Sequence, residues 1–174
     1  DYLYGVTAVY SGGESPAATI NVNVNYFLTT VIFEDGFESY PDFATVMIPW
    51  TLIDNDHQPI YINAIYNYPG MGTAMAYMVF NPSATVPPML YNTPFEGSKM
   101  ASCLAAWNGP NDDWLITPRI NLGENSSLKF WARSDASNYG LERFRVGIST
   151  LSSIVPQGFT YLTGPNSNDF VQPP

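Results

Sequence analysis

From Tyr2 to Tyr10 the side chains alternate, with Tyr4, Val6, Ala8 and Tyr10 on one side and Leu3, Thr7 and Val9 on the other. A repeat of two belongs to an extended strand; a helix repeats every 3.6 residues and would scatter these groups around its axis. Turn-forming Ser11-Gly12-Gly13-Glu14-Ser15 follows, and Ala17–Val24 alternates again with Ile20, Val22 and Val24 on one face. Two such runs around a Gly-rich turn predict a β-hairpin. Two strands do not bury a core unaided, so this hairpin requires further strands.

The rest of the chain has the same character. Ten Phe, twelve Tyr and four Trp stand among fifteen Pro and thirteen Gly, and charged residues make up 12% of the 174 positions. Aromatic residues favour strands, while Pro and Gly punctuate them, so the composition is all-β. A linker at residues 25–30 leads to Val31-Ile32-Phe33. Further strands are expected at Thr45–Ile53, Ala74–Phe80, Ala101–Trp107, Trp114–Ile116, Ser127–Arg133, Arg143–Ser149 and Phe159–Leu162. Ser98–Trp107 also suits a helix by propensity, and its strand neighbours favour strand. The spacing, with Pro and Gly in the connections, suits a sandwich or jelly roll.

Charge removes several functions. Six basic residues against fifteen acids give a net charge of −9. No basic footprint is available for nucleic acid or an anionic membrane surface. No apolar run reaches the length of a membrane span, and Asp1-Tyr2-Leu3-Tyr4 lacks the features of a signal peptide, so the chain reads as a mature or excised segment. One cysteine, Cys103, allows no internal disulfide; in Ala101-Ser102-Cys103-Leu104 it is expected to be a small buried apolar residue.

Catalytic chemistry has little to build on. His57 is the only imidazole, it lies in the polar turn Asp54-Asn55-Asp56-His57-Gln58-Pro59, and no nucleophile or zinc motif surrounds it. No catalytic residue is assigned and no enzyme activity is expected. Calcium is better supplied, because it takes six to eight oxygen ligands and acids cluster in turns at Glu34/Asp35/Glu38, Asp54/Asn55/Asp56 and Asn111/Asp112/Asp113. Asp35 and Glu38, three apart around a glycine, are the first candidate ligands. Asp54 and Asp56 form a second group, without EF-hand spacing, since the twelfth position is Ile65. The same residues also favour turns by bonding their own backbone, without any ion. Trp50, Trp107, Trp114 and Trp131 are candidate sugar-stacking rings, with core packing expected for Trp114 and Trp131 beside their apolar neighbours.

Two family resemblances follow. Residues 2–24 resemble the last hairpin of a fibronectin type III sandwich, whose other five strands would precede Asp1. Residues 31–163 resemble the cleaved-adhesin, or choice-of-anchor J, domains of secreted Bacteroidetes proteins, including the haemagglutinin-adhesin regions of gingipains. The matching motifs are Glu34-Asp35-Gly36-Phe37-Glu38, Pro49-Trp50-Thr51 with its Asp54-Asn55-Asp56 loop, and Asn111-Asp112-Asp113-Trp114-Leu115-Ile116-Thr117-Pro118-Arg119-Ile120. Leu128–Ser134 and Glu142–Ser149 then follow in the family's order. The sequence departs from the family where Gly36 interrupts the acidic opening and where Gln58 replaces the third acid of an Asp-x-Asp-Gly-Asp-Gly loop.

The resemblance implies a non-catalytic jelly roll at residues 31–174, preceded by a fibronectin-like hairpin at 1–25 and a linker at 26–30. It implies structural calcium, with Glu142 at the family's acidic position completing the shell of Asp35 and Glu38. It implies an adhesion module, secreted or at the cell surface, that binds a host or neighbouring-cell surface protein or a glycan. Two alternatives are a carbohydrate-binding accessory module of a secreted enzyme and a structural subunit of an extracellular fibre. Family members continue beyond the strand at Phe159–Gly164. This chain is therefore expected either to be a fragment or to take missing strands from another copy along open edges.

Overall fold

The computed structural model describes the backbone of residues 2–6, 9–10, 13–14, 18–22 and 170–171, and the whole of residues 30–135, 138, 142–151 and 154–162. The chain divides into two units, Asp1–Ile32 and Phe33–Pro174. In the first, β1 (Tyr2–Val6) runs antiparallel to β4 (Ala18–Val22), with Tyr4 opposite Ile20 and Val6 opposite Ala18. Nearer the turn, β2 (Val9–Tyr10) pairs with β3 (Gly13–Glu14). The alternation thus gives the hairpin it predicts, with a turn tighter than Ser11–Ser15 because Gly13 and Glu14 join the ladder. Ala8 and Val24 lie outside the described residues.

The second unit is built on short antiparallel pairs. β5 (Thr51–Asp54) pairs with β8 (Asp113–Ile116), and β6 (Met78–Phe80) with β7 (Met100–Ser102). β9 (Arg143–Phe144) pairs with β12 (Phe170–Val171), and β10 (Gly147–Ile148) with β11 (Thr160–Tyr161). Among the described residues there is no α-helix, only two 3-10 turns at Pro82–Ala84 and Pro156–Gly158. All-β is therefore the architecture, and every ladder among the described residues is two-stranded rather than part of a wide jelly-roll sheet.

The core sits around β6. Ile60, Tyr68, Met78, Phe80 and Met89 are buried together, with Phe43, Tyr66, Met71, Met75, Met100 and Leu104 packed against them. Phe43 stacks on Tyr68 at 5.9 Å, and Phe80 meets both rings edge-on. Loops supply much of this core, and methionine suits such irregular joins because its unbranched thioether adapts to gaps. The loops are tied by backbone bonds: Phe43 N to Val79 O at 2.7 Å, Val79 N to Ala44 O at 2.8 Å, and a reciprocal pair between Asn67 and Val86 at 2.9 Å.

Several strand expectations change. Thr45–Ile53 contracts to β5: Pro49 has no N–H for a ladder, and Val46 and Ile48 are exposed. Ser98–Trp107 is strand only at β7, fixed by its pairing with Phe80, Val79 and Met78. Arg143–Ser149 splits between two partners. Ser127–Arg133 is not assigned as strand: it has the alternation but no partner ladder among the described residues, and residues 121–133 are all exposed.

Candidate metal centre

The register of β5 on β8 sets Thr51 against Ile116, Leu52 against Leu115, Ile53 against Trp114, and Asp54 against Asp113. Its last rung therefore faces two carboxylates across a distance at which like charges repel. The turn after β5 adds a third. Asp54 Oδ1 accepts from His57 N at 2.7 Å and Asp56 Oδ1 accepts from Gln58 N at 2.7 Å, curling the chain back over the rung. His57 takes the left-handed conformation there, φ 55°. One carboxylate oxygen from each of Asp54, Asp56 and Asp113 then lies within 4.8 Å of the others.

Polar contacts brace this arrangement on both sides. Asn55 N donates to Asp112 O at 3.1 Å, Asn55 Nδ2 donates to Asp112 Oδ2, and Asp112 N donates to Asp56 Oδ2. Trp114 Nε1 donates to Asp112 Oδ1 at 2.9 Å. The Cys103 thiol donates to Asp113 Oδ2 at 3.4 Å, and Asn111 Nδ2 donates to Cys103 Sγ at 3.1 Å. Asp113 Oδ1 is buried and has no hydrogen-bond partner among the described residues.

That orphaned oxygen marks the electrostatic problem. Burial, followed by repulsion from Asp56, Asp54 and Asp112, pushes the Asp113 carboxyl up to about 7, against the pull of the Cys103 hydrogen bond. Cys103 follows: desolvation of its sulfur and the nearby charges of Asp113 and Glu142 push the thiol up to about 12, opposed by the Asn111 hydrogen bond. Tyr77, half-buried beside Cys103 and Asp113, moves upward as well, chiefly through desolvation. A hard divalent cation fits this donor set, because it would supply the missing partner of Asp113 Oδ1 and cancel the repulsion. The thiol, protonated at neutral pH, is a poor competitor for a soft metal.

The other candidate ligands are placed elsewhere. Asp35 is saturated by Phe37 N at 2.7 Å, the Tyr40 hydroxyl at 2.7 Å and Trp50 Nε1 at 2.7 Å. Glu38 accepts from Ser98 N at 2.8 Å, Ser98 Oγ at 2.8 Å and Lys99 N at 2.7 Å, bonds that hold its carboxyl below the usual range. Gly97 makes this clamp possible: its φ is +70°, and a Cβ there would collide with the Glu38 carboxylate. Asp35 and Glu38 thus brace loops; among the described residues they are not gathered with Glu142 into one carboxylate cluster, and the charge of Glu142 is felt at Cys103. Asp113, expected only within the separate acidic group Asn111/Asp112/Asp113, joins Asp54 and Asp56 through a strand register that its own turn did not reveal.

Two further expectations are corrected. Cys103 is not a buried apolar residue: the residue as a whole is exposed, while its sulfur is desolvated and held by polar partners because it borders the acidic rung. Trp131 is not core: it is 74% exposed and stacks on exposed Phe95 at 3.9 Å, because the segment carrying it has no strand partner among the described residues. Trp50 is tied to Asp35 and packs with Phe33 and Phe37. Trp114 lies against Phe159 and Tyr161. Trp107 is 52% exposed and stacks on Tyr61 at 5.4 Å.

Fold and site together define an all-β chain with a carboxylate cluster suited to a hard cation. Its likeness runs to Hemagglutinin A of Porphyromonas gingivalis, 22% identical over 162 residues, covering 86% of this chain and 6% of that protein. Lys-gingipain W83 of Porphyromonas gingivalis matches at 22% over 162 residues, covering 86% of this chain and 9% of its own length. The chain spans less than a tenth of the length of these relatives. No family model matches it, and no solved structure matches it.

Proposed function

We propose that this chain is a non-catalytic adhesion module of a secreted or cell-surface protein, stabilised by calcium at Asp54, Asp56 and Asp113. The observation that carries the adhesion reading is the similarity to Hemagglutinin A across 86% of the chain. What supports the non-catalytic part is the state of the two obvious reactive groups. His57 is solvent-facing, its Nδ1 4.0 Å from Asp54 Oδ1, and desolvation pushes the Cys103 thiol up to about 12, keeping it protonated at neutral pH. Asp54, Asp56 and Asp113 would hold the ion, which would supply charge neutralisation and no reaction chemistry. The partner on this reading is a surface protein or glycan of another cell.

Binding of the purified chain, displayed in multiple copies on beads, to intact host or bacterial cells tests the proposal. Saturable attachment is the expected result; beads that bind no better than uncoated ones would defeat it. A screen with ester, peptide and glycoside substrates is expected to show no turnover. A second reading, a fibre subunit assembled by strand addition, draws on Leu128, Phe130 and Trp131, which are exposed along a segment without a ladder partner among the described residues.

A further inference from the structure

Residues 54–61 and 105–113 run side by side, joined by Asn55 N to Asp112 O at 3.1 Å, Tyr61 N to Ala105 O at 2.7 Å and Trp107 N to Pro59 O at 2.8 Å. One end of this ribbon carries the carboxylates and the other carries the Tyr61–Trp107 stack. At the ring end is a cleft of about 210 Å³ lined by Pro59, Ile60, Ile62, Gly72 and Trp107. Gly72 keeps it open: φ is +77°, and a Cβ there would meet the Ile62 side chain at 3.0 Å.

We infer that this cleft receives a lysine or arginine side chain from a basic segment of a protein partner. The inference rests on the adhesion reading and names the chemistry of the partner. An indole face attracts a cation, and stacking on Tyr61 with both backbones hydrogen-bonded holds that face in place before binding. The aliphatic walls suit the methylene stem of such a side chain, with its charged head left in water. Charge complementarity selects the sign. The two ribbon segments hold Asp54, Asp56, Asp112 and Asp113 but no Lys or Arg, within a chain of net charge −9. Asp56 is three residues from Pro59, at most about 10 Å along the chain, so its field reaches the cleft with modest screening. One bound divalent ion leaves the ribbon negative. A sugar is less well served: apart from the indole N–H, no polar side chain lines the cleft to pair with its hydroxyls.

The test uses the full chain, titrated in a calorimeter with a capped Gly-Lys-Gly-Arg-Gly peptide in calcium and again in chelator. The same peptide with acetyl-lysine and citrulline is the neutral control, and an oligosaccharide panel is run alongside. The cationic peptide is expected to bind under both conditions, and the neutral control at least tenfold more weakly. Trp107→Leu is expected to weaken the cationic peptide about tenfold, with Trp107→Phe between the two. Should Trp107→Leu melt early, Ile62→Trp fills the cleft from an exposed position and is expected to block the peptide. No binding of the cationic peptide, equal binding of the neutral one, indifference to both variants, or an oligosaccharide displaced by Trp107→Leu would overturn the inference. Cell attachment that survives these outcomes would leave the adhesion reading standing without this cleft.

Discussion

Asp113 holds its proton in the folded chain over a range where the unfolded chain has released it, about 7 against an ordinary 3.8. Between those values the native state binds more protons, so stability falls as pH rises through the window. Glu38 works in the opposite sense: its lowered pKa contributes stability above the ordinary carboxylate range, and this is lost as pH falls through its folded value. Without divalent ions the melting temperature is expected to peak near pH 4–5 and decline toward pH 7.5, followed by circular dichroism. Calcium should raise the curve at pH 7.5, by about 2.7 kcal/mol at a hundredfold excess over Kd. Asp113→Asn should flatten the neutral-side decline and abolish the calcium response, while Asp35→Asn should leave that response intact. Acids in the turns were legible in the sequence. Their assembly was not, because a turn residue bonding its own backbone and one bonding a metal look alike until the opposite strand is in register.

Among the elements, β6 lies wholly inside, with Met78 and Val79 at 0% exposure and Phe80 at 2%. Met78→Ala is expected to cost about 2–5 kcal/mol, read as a shift in the urea midpoint at unchanged slope. The equivalent truncation of exposed Leu128 should cost under about 0.5 kcal/mol. Alternation made the β1–β4 hairpin and the Trp114–Ile116 run of β8 readable, since a period of two is imposed by the backbone itself. It misled at Ser127–Arg133, where the pattern has no partner ladder among the described residues. The methionine-rich core had no periodic signal, because Met71, Met75 and Met89 pack from loops whose geometry follows no fixed repeat.

At the scale of the molecule, large apolar side chains stay on the surface of the second unit: Leu128, Phe130 and Trp131 at 65%, 53% and 74%, and Phe95 at 60%. Exposed surface of this kind favours association. Light scattering is expected to show concentration-dependent oligomers, and the double variant Phe130→Lys with Trp131→Lys should shift the chain toward monomer; a wild-type chain that stays monomeric at high concentration would remove the fibre reading. The methionine core has its own consequence when the chain meets an oxidant. Met47, Met78 and Met89 are shielded, at 1%, 0% and 6% exposure, so peroxide reaches them only when the chain opens. Each thioether would then become a polar sulfoxide that no longer fits its gap. Transient opening under oxidant is thus converted into permanent loss of the fold, and in the presence of oxidant the chain's lifetime is set by how often it opens.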